Sequence, residues 1–472
     1  MRLPPAPPVA RAVAATPPDR DRVLDLLRAA ALSVVVLGHA TMGLVGWRPE
    51  GPVVGNTLTV YAWAPWATWA LQIMPLFFVA GGAVNARSWR TGRDSYAPWM
   101  WRRVQRLLRP VWVYLLVMAP LSAVVSLLAP AGWSEPLLGL ATQLLWFIGV
   151  YIMVCALTPL AVAAHERNPL LGPAILLAGV GLVDLARLGV GLGDALGLLN
   201  FVLVWAFAAQ LGLLFDDGLL RGGRGLVVAA AAVAMNLVLI TVGPYPTSMV
   251  GLPGESFSNM APPSLVLALH ALALTGVAGA ARPLLARLTA RPRAWTATTT
   301  VNLTAMTLYL WHLPVLITLV AVLHLVGLDR PVTWRSAELA VPGPWFWLWT
   351  IPYFCLYLAC VAAVVRVMWP AELGRLPGWD RPARPTPDGL PAAAHRRAAL
   401  AAAVGSVLIG VGTLTLSGTG LAGFPTRVVS FAGLPLNAAG AIGLMVVGAL
   451  LVRKAGAQDI SSRIKNGNHA LH

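Results

Sequence analysis

The chain has 472 residues, of which 58% are hydrophobic and only 11% are charged. Soluble globular domains carry about 25% charged residues, so this composition excludes a set of soluble domains and predicts an all-α, polytopic integral membrane helical bundle. The net charge of +16 does not indicate nucleic-acid binding, because the basic residues cluster between apolar segments, as is typical of membrane proteins.

The predicted elements begin with a tail and continue with membrane spans. Residues 1–20 are rich in Pro, Ala and Arg and lack an apolar core, which predicts a disordered cytoplasmic tail and no signal peptide. Twelve apolar segments long enough to cross a bilayer follow. Their approximate limits are 23–46, 64–86, 107–129, 139–163, 169–189, 196–215, 225–243, 262–281, 299–325, 344–369, 398–416 and 430–452.

The distribution of Lys and Arg predicts the orientation of these spans. If the N-terminus is cytoplasmic, the 34 basic residues divide into 28 in cytoplasmic segments, 5 in external segments and Arg28 within a span. Basic residues concentrate on the cytoplasmic side of membrane proteins. The sequence therefore predicts a multi-pass protein of the cell membrane with both termini in the cytoplasm.

The first span, "RVLDLLRAAALSVVVLGHA", carries two polar residues that are costly in a membrane, Arg28 and His39. They are eleven residues apart, which at about 100° per residue places them on one helical face, about 16 Å apart along the axis. Each residue also has a non-functional explanation. Arg28 could extend to the membrane surface or pair with Asp25, and His39 could form a hydrogen bond with a neighbouring helix. The shared face favours a functional pair.

The second and third spans carry further motifs. "MPLFFVAGG" contains Gly81 and Gly82, which allow close helix approach. "WRRVQRLLR" places Arg102, Arg103, Arg106 and Arg109 at the start of the third span. Guanidinium groups bind phosphate through paired hydrogen bonds, so this cluster suits a phosphate-bearing ligand such as coenzyme A. The alternative is a topological signal that also binds lipid phosphates.

The later spans offer one more candidate. "LYLWHLPVL" places His312 in the middle of a span, where a single histidine has either a packing role or a site role. No sequence motif indicates a metal site, a phosphate loop or a pair of catalytic carboxylates. No metal is therefore expected.

The C-terminal part divides into three predicted segments. Residues 371–395 form a Pro-rich cytoplasmic linker, 396–454 an accessory transmembrane hairpin, and 455–472 a polar tail. The hairpin contains no ionisable group within its spans. We therefore expect it to be loosely tethered, to pack on the rim of a ten-helix core, and to be dispensable, so that a chain ending near Pro370 keeps its activity.

These motifs together resemble acyltransferase family 3, the integral-membrane O-acyltransferases of bacterial cell envelopes and antibiotic pathways. The Arg-to-His spacing of the first span is similar to the hallmark of that family, and "MPLFFVAGG", "RRVQRLL", "LWFIGVYIMVCALTPL" and "LYLWHLPVL" resemble its later motifs in family order. The resemblance covers about residues 20–370, which makes 21–370 the acyltransferase domain. One departure is the absence of the Glu that many members carry after the Trp of the "LW" helix, here Trp146.

The resemblance implies an activity and a division of roles. It implies transfer of an acyl group, expected to be acetyl, from cytoplasmic acyl-CoA to a hydroxyl of a glycan or a glycosylated small molecule. It implies catalytic roles for His39 and Arg28 and donor binding by Arg103 and Arg106, with Arg102 and Arg109 in the same cluster. Membrane lipids are the other expected partners.

A function from another class is a multi-span transporter or flippase of an anionic or lipid-linked substrate. Twelve spans and a basic inner face suit such a protein. Transporters, however, typically contain internal repeats and matching broken helices, and the sequence has no clear internal repeat. An acyltransferase is therefore the favoured interpretation.

Overall fold

The computed structural model describes residues 9–92, 94–129, 133–189, 194–252, 257–336, 339–383, 392–431 and 434–457. Helices dominate this part of the chain, and its only sheets are three two-stranded hairpins. Eleven helices are long and apolar enough to cross a membrane, and a twelfth crossing is formed if two helices bent by 62° count as one span. The predicted all-α polytopic membrane bundle is confirmed.

The helices follow the predicted order. They are α1 (Val9–Ala14), α2 (Arg22–Met42), α3 (Ala64–Leu71), α4 (Met74–Thr91), α5 (Tyr96–Leu128), α6 (Ser134–Gln143), α7 (Leu145–Ala156), α8 (Thr158–Arg167), α9 (Leu171–Gly189), α10 (Asp194–Gly197), α11 (Asn200–Asp216), α12 (Gly223–Val242), α13 (Leu265–Ala280), α14 (Arg282–Ala290), α15 (Pro292–Leu303), α16 (Ala305–Leu325), α17 (Phe346–Leu373), α18 (Ala392–Thr419) and α19 (Ala438–Gly456). The bent pair is α13 and α14.

The strands pair in three antiparallel hairpins. They are β1 (Gly43–Arg48) with β2 (Gly51–Asn56), β3 (Val332–Trp334) with β4 (Ala340–Pro342), and β5 (Val428–Phe431) with β6 (Leu434–Asn437). Each hairpin follows the C-terminal end of a membrane helix, namely α2, α16 and α18. We call this end of the bundle the hairpin end, and the opposite end, where the arginine-rich start of α5 lies, the arginine end.

Two of the approximate span limits, and the predicted disorder of the N-terminal tail, differ from the structure. The first span ends at Met42 rather than residue 46, because the Gly- and Pro-rich segment after it forms β1 and β2. The helix of the third predicted span, α5, begins at Tyr96 rather than residue 107, so the arginine cluster lies within its first four turns. The predicted disorder of residues 1–20 does not hold for α1, and Trp295 Nε1 donates a hydrogen bond to Thr16 Oγ1. Residues 1–8 lie outside the described residues.

Ion pairs at the arginine end fix the start of α2. Asp21 accepts hydrogen bonds from the backbone N–H groups of Val23 and Leu24, which caps the helix. The same carboxylate pairs with Arg87 of α4 and Arg282 of α14. Three elements therefore converge on one side chain, and this sets where the polar face of α2 begins.

Close glycine contact holds α4 against α11. A Cβ built on Gly82 would lie 2.0 Å from the carbonyl oxygen of Ala209. Only glycine permits this separation, which confirms the prediction that this motif lets helices approach closely.

The last two helices pack deeply and do not lie loosely on a rim. A Cβ on Gly149 of α7 would lie 2.9 Å from the carbonyl oxygen of Gly410 and closer still to Thr413, both on α18. Helix α19 packs on α5, where a Cβ on Gly456 would lie 2.3 Å from the carbonyl oxygen of Ala97. Because small residues bring these backbones together, the pair is part of the bundle.

The segment before α18 is also packed along the part that the structure describes. Trp379 is 8% exposed, contacts the ring of Trp101 and donates a hydrogen bond to the carbonyl oxygen of Gln105. Trp101 Nε1 in turn donates to the carbonyl oxygen of Arg381 at 3.0 Å. Residues 374–383 are thus a strap held to the start of α5, contrary to the loose tether expected. The rest of the predicted linker, 384–391, and the tail after residue 457 lie outside the described residues.

Candidate active site

A cavity of about 780 Å³ opens at the arginine end of the bundle. Its wall is formed by α2, α4, α5, α7, the end of α15, α16 and the end of α17. The predicted arginines share it, since Arg102, Arg103, Arg106 and Arg109 line its outer part and Arg28 lines it as well. We call it the arginine cavity. Five residues separated by up to 81 positions are thereby brought to one site.

The four arginines of α5 differ in how they are held. Arg102 forms an ion pair with Asp94. Arg109 pairs with Asp380 of the strap at 2.5 Å, and the two side chains are only 16% and 9% exposed. Arg106 is exposed and has no ion-pair or hydrogen-bond partner among the described residues. The cluster therefore combines arginines that hold the structure with one that is available to a ligand.

Arg103 is fixed in place by contacts on two sides. Its Nε donates to Asn85 Oδ1 at 3.0 Å, its Nη1 donates to the carbonyl oxygen of Trp99 at 3.3 Å, and its guanidinium lies 3.5 Å from the centre of the Trp99 ring. The amide nitrogen of Asn85 faces Cys155 Sγ at 3.2 Å and the Tyr151 hydroxyl at 3.4 Å. Arg103 is thus preorganised, because its stem and two nitrogens are immobilised while Nη2 remains free of protein partners in the described part of the chain.

Arg28 does not form the predicted alternative pair with Asp25. Asp25 pairs with Arg20 at 2.6 Å instead. The Arg28 guanidinium lies 5.2 Å from the centre of the Phe77 ring, and its buried Nε has no hydrogen-bond partner in the described residues. A buried donor without a partner is unfavourable, so Arg28 is suited to a ligand oxygen in the arginine cavity.

The two candidate histidines meet, although 273 positions separate them. His39 Nδ1 lies 3.0 Å from His312 Nε2, the ring centres are 5.3 Å apart, and the two ring planes differ by 16°. His312 Nδ1 lies 2.8 Å from the carbonyl oxygen of Tyr309, and a carbonyl can only accept. His312 therefore donates from Nδ1, which leaves its Nε2 to accept from His39.

This chain of hydrogen bonds determines the tautomer of His39. Because Nδ1 carries the proton that is donated to His312, the neutral ring of His39 has its free lone pair on Nε2. Nε2 has no hydrogen-bond partner among the described residues. A histidine whose second nitrogen is oriented by a fixed acceptor in this way can act as a general base.

The histidine pair and the arginine cavity are neighbours but are not continuous. Neither His39 nor His312 lines the cavity. Phe77, Phe147 and Tyr309 form its inner aromatic wall, and the Tyr309 ring centre lies 6.1 Å from that of His312. A ligand in the cavity is thus one aromatic side chain away from the histidines.

Sequence reasoning missed several residues of this site. Asn85, Tyr151 and Tyr309 are isolated polar groups in apolar helices, and such residues are a functional signal in a membrane segment. Glu372 lies in what was predicted to be a linker, yet its carboxylate accepts from Thr307 Oγ1 at 2.5 Å and caps the start of α16. Burial raises the pKa of Glu372, which the hydrogen bonds from Thr307 oppose. Glu372 lines the arginine cavity, so the cavity wall extends past residue 370.

Within the described residues, no group of three or more His, Cys, Asp and Glu side chains is arranged to hold a metal ion.

The buried carboxylate of Asp184, at the hairpin end, has a structural role. It accepts hydrogen bonds from Asn200, Tyr245 and the backbone of Leu265.

Comparison with known proteins gives one match. A family model described as an acyltransferase domain, of the acyltransferase 3 type, matches residues 21–369, which are 349 of the 472 residues. No curated protein and no solved structure matches the chain.

Proposed function

Because this chain belongs to acyltransferase family 3, we propose that it moves an acyl group, expected to be acetyl, from cytoplasmic acyl-CoA to a hydroxyl of a glycan or a glycosylated small molecule. The chain is a multi-pass membrane acyltransferase that acts on groups other than amino-acyl groups. The proposal adds the donor, the acyl group, the acceptor and a location in the bacterial cell membrane with the arginine end in the cytoplasm.

The observation that carries the donor proposal is the arginine cavity, with its five arginines and its inner wall beside the histidine pair. The phosphates of coenzyme A are matched by the guanidinium groups of Arg103 and Arg106, which form paired hydrogen bonds with phosphate oxygens. Arg106 has no protein partner among the described residues, and Arg103 is held with one nitrogen free. Arg102 contributes charge, and Arg109 holds the strap through Asp380.

The position of Arg28 favours donor binding over stabilisation of the reacting oxygen. Eleven residues of helix separate it from His39, which is about 16 Å. A side chain in the wall of the arginine cavity is suited to hold the pantetheine arm or a phosphate of the donor. The thioester at the end of that arm then has to pass the wall of Phe77, Phe147 and Tyr309 to reach His39.

The proposed chemistry uses His39 Nε2 as the general base. It takes the proton of the acceptor hydroxyl while the hydroxyl oxygen attacks the thioester carbonyl carbon. The carbon–sulfur bond of the resulting tetrahedral intermediate breaks, and the coenzyme A thiolate takes the proton back from His39. The products are the ester and free coenzyme A, and His312 accepts the Nδ1–H of His39 throughout.

Many spans and a basic end of the bundle also suit a transporter or flippase, but these features do not distinguish it from an acyltransferase. Membership in an acyltransferase family counts against this alternative, and the proposed acyl transfer uses the predicted histidines as well as the predicted arginines.

The proposed function is tested by measuring acyl transfer with the purified full-length protein in nanodiscs. Radiolabelled acetyl-CoA and an extract of envelope glycans are incubated with the protein, and label is followed into the glycan fraction and into free coenzyme A. We expect transfer that depends on the protein. Tight binding of acetyl-CoA without any protein-dependent cleavage of the thioester would contradict an acyltransferase with this donor.

Replacement of Arg103 and Arg106 by Ala together is expected to weaken acetyl-CoA binding by about 10²-fold or more, because a hydrogen bond to a charged group contributes about 1.5–3 kcal/mol. The double Lys variant should recover only part of the affinity, since the ammonium group lacks the bidentate fork. Isothermal titration calorimetry measures the acetyl-CoA affinity of the double Ala and the double Lys variants.

Arg287→Ala is the matched control, because Arg287 is an exposed arginine of α14 outside the cavity. It should leave the affinity unchanged. Equal affinity in the parent and the double Ala variant would make the cluster a topological signal alone.

A further inference from the structure

Two of the buried polar groups that have no hydrogen-bond partner within the described residues lie together at the hairpin end. They are the Nη1 atom of Arg330, in the loop after α16, and the hydroxyl of Tyr353 on α17. The Arg330 guanidinium carbon lies 4.2 Å from the centre of the Tyr353 ring. Both unpartnered atoms therefore belong to one local site.

The rest of Arg330 is tightly held. Its Nη2 donates to the carbonyl oxygen of Gly43 at 2.6 Å, and its guanidinium also lies 4.8 Å from the centre of the Phe346 ring. The neighbouring Asp329 pairs with His324 instead, so no carboxylate of the described residues neutralises Arg330. Burial lowers the pKa of Arg330, and a bound anion would compensate this burial.

This site lies next to the histidine pair, on the side away from the arginine cavity. Gly43 follows His39 by four residues, or about 6 Å of helix, and its N–H donates to the His39 carbonyl. Tyr353 lies one turn from Tyr357 on the same face of α17, and the Tyr357 hydroxyl is 3.5 Å from the carbonyl oxygen of His312. Two separate helices thus connect the unpartnered groups to His39 and His312.

Buried donors without partners are rare in folded proteins, and each requires an explanation. Here both can donate to the same oxygen-bearing group, and one of them is cationic. We propose that Arg330 and Tyr353 form the acceptor-binding site and that they receive a carboxylate or phosphate of an anionic acceptor, whose hydroxyl then reaches His39 Nε2. The inference rests on the proposed function and adds to it the chemical class of the acceptor and its approach from the hairpin end.

Two probes that differ only at C6 of the sugar, a hydroxymethyl group in one and a carboxylate in the other, test this site. Octyl β-glucoside and octyl β-glucuronide share their alkyl chain and sugar ring, and only the second carries a carboxylate. Binding of each to the full-length protein in nanodiscs, below the micellar concentration, is measured by microscale thermophoresis. The glucuronide is expected to bind about tenfold more tightly or better, as for a hydrogen bond to a charged group.

Two variants make the test specific. Arg330→Met should abolish the preference for the glucuronide. Tyr353→Phe should weaken glucuronide binding by about three- to tenfold, and because the hydroxyl has no partner among the described residues its removal should not lower the unfolding temperature. Tyr353→Phe decides the matter if Arg330→Met fails to fold.

Equal binding of the two probes by the parent protein would overturn the inference, as would a preference that survives Arg330→Met or a glucuronide affinity that Tyr353→Phe leaves unchanged. Acetyl-CoA binding to the same proteins is measured in parallel. If the parent protein binds acetyl-CoA but shows no preference for the glucuronide, only the inference about the acceptor site fails. If the parent protein does not bind acetyl-CoA, the proposed donor is contradicted.

Discussion

His39→Ala is expected to lower the rate of acyl transfer by about 10²–10⁴-fold, the contribution typical of a positioned general base. The structural reason is the tautomer of His39, whose Nδ1–H donates to His312 and whose Nε2 is free to take a proton. The measurement is transfer of label from acetyl-CoA by variants that insert and elute as single species. Acetyl-CoA affinity should change little, because His39 does not line the arginine cavity.

His312→Ala tests the role of the second histidine. His39 is still present in this variant, but the His39 Nδ1–H has lost its acceptor and the His39 ring is no longer held in one orientation. The rate of acyl transfer should therefore lie between those of the parent and of His39→Ala. The double variant should be no slower than His39→Ala, because two residues that act as a unit are not additive. His395→Ala, at the start of α18 and outside both the pair and the cavity, is the control. A His39→Ala rate within a few-fold of the parent would remove His39 as the base.

A chain that ends after Ala383 is expected to lose most of its activity and to unfold at a lower temperature. Helices α18 and α19 pack on α7 and α5 through backbone contacts at Gly149 and Gly456, and helix association in membranes depends on such close packing. Helix α7 carries Phe147 and Tyr151 into the cavity wall, so displacement of α7 disturbs the site. This is the opposite of the result expected from sequence composition. The measurements are the unfolding temperature in detergent and acyl transfer.

A pair of point variants tests the same contact without a truncation. Gly149→Ala places a methyl group against Gly410 and Thr413, and such overpacking destabilises by about 1–3 kcal/mol. Gly443→Ala is the matched control on α19, because no atom lies within 4 Å of the position that its methyl group would occupy. Full activity and an unchanged unfolding temperature in the truncated chain, with no difference between the two glycine variants, would make the hairpin an accessory element.

The arginines of the third span are the part of the candidate site that can be predicted from the sequence. Runs of arginine are visible in the sequence, and one helical period places Arg103 and Arg106 on one side of α5. The sequence could not distinguish them from Arg109, because Arg109 is neutralised by Asp380, which is 271 positions away. The sequence also left the partner of Asp25 open, because Arg20 and Arg28 both lie within five residues of it, and the structure shows that Asp25 pairs with Arg20.

The predictions of a loose linker and an accessory hairpin at the C-terminal end differ from the structure for a related reason. Pro, Gly and charged residues in 371–395 are typical of linkers, and composition gives no indication that Trp379 inserts between α5 side chains or that Glu372 caps α16. The absence of ionisable groups from the spans of α18 and α19 predicted an accessory hairpin. The small residues of these helices instead let their backbones touch α7 and α5, and this contact depends on glycines of the helices in contact.

The sequence by itself determined the class of the protein, the order of its spans, its family and the alignment of Arg28 with His39. These properties follow from hydropathy over about 20 residues and from the period of one helix, and both are local. Only the tertiary structure decided that His39 meets His312, which of the arginines are free, and that the last helices belong to the bundle. These results depend mainly on contacts between helices far apart in the chain, and packing rather than local pattern sets them.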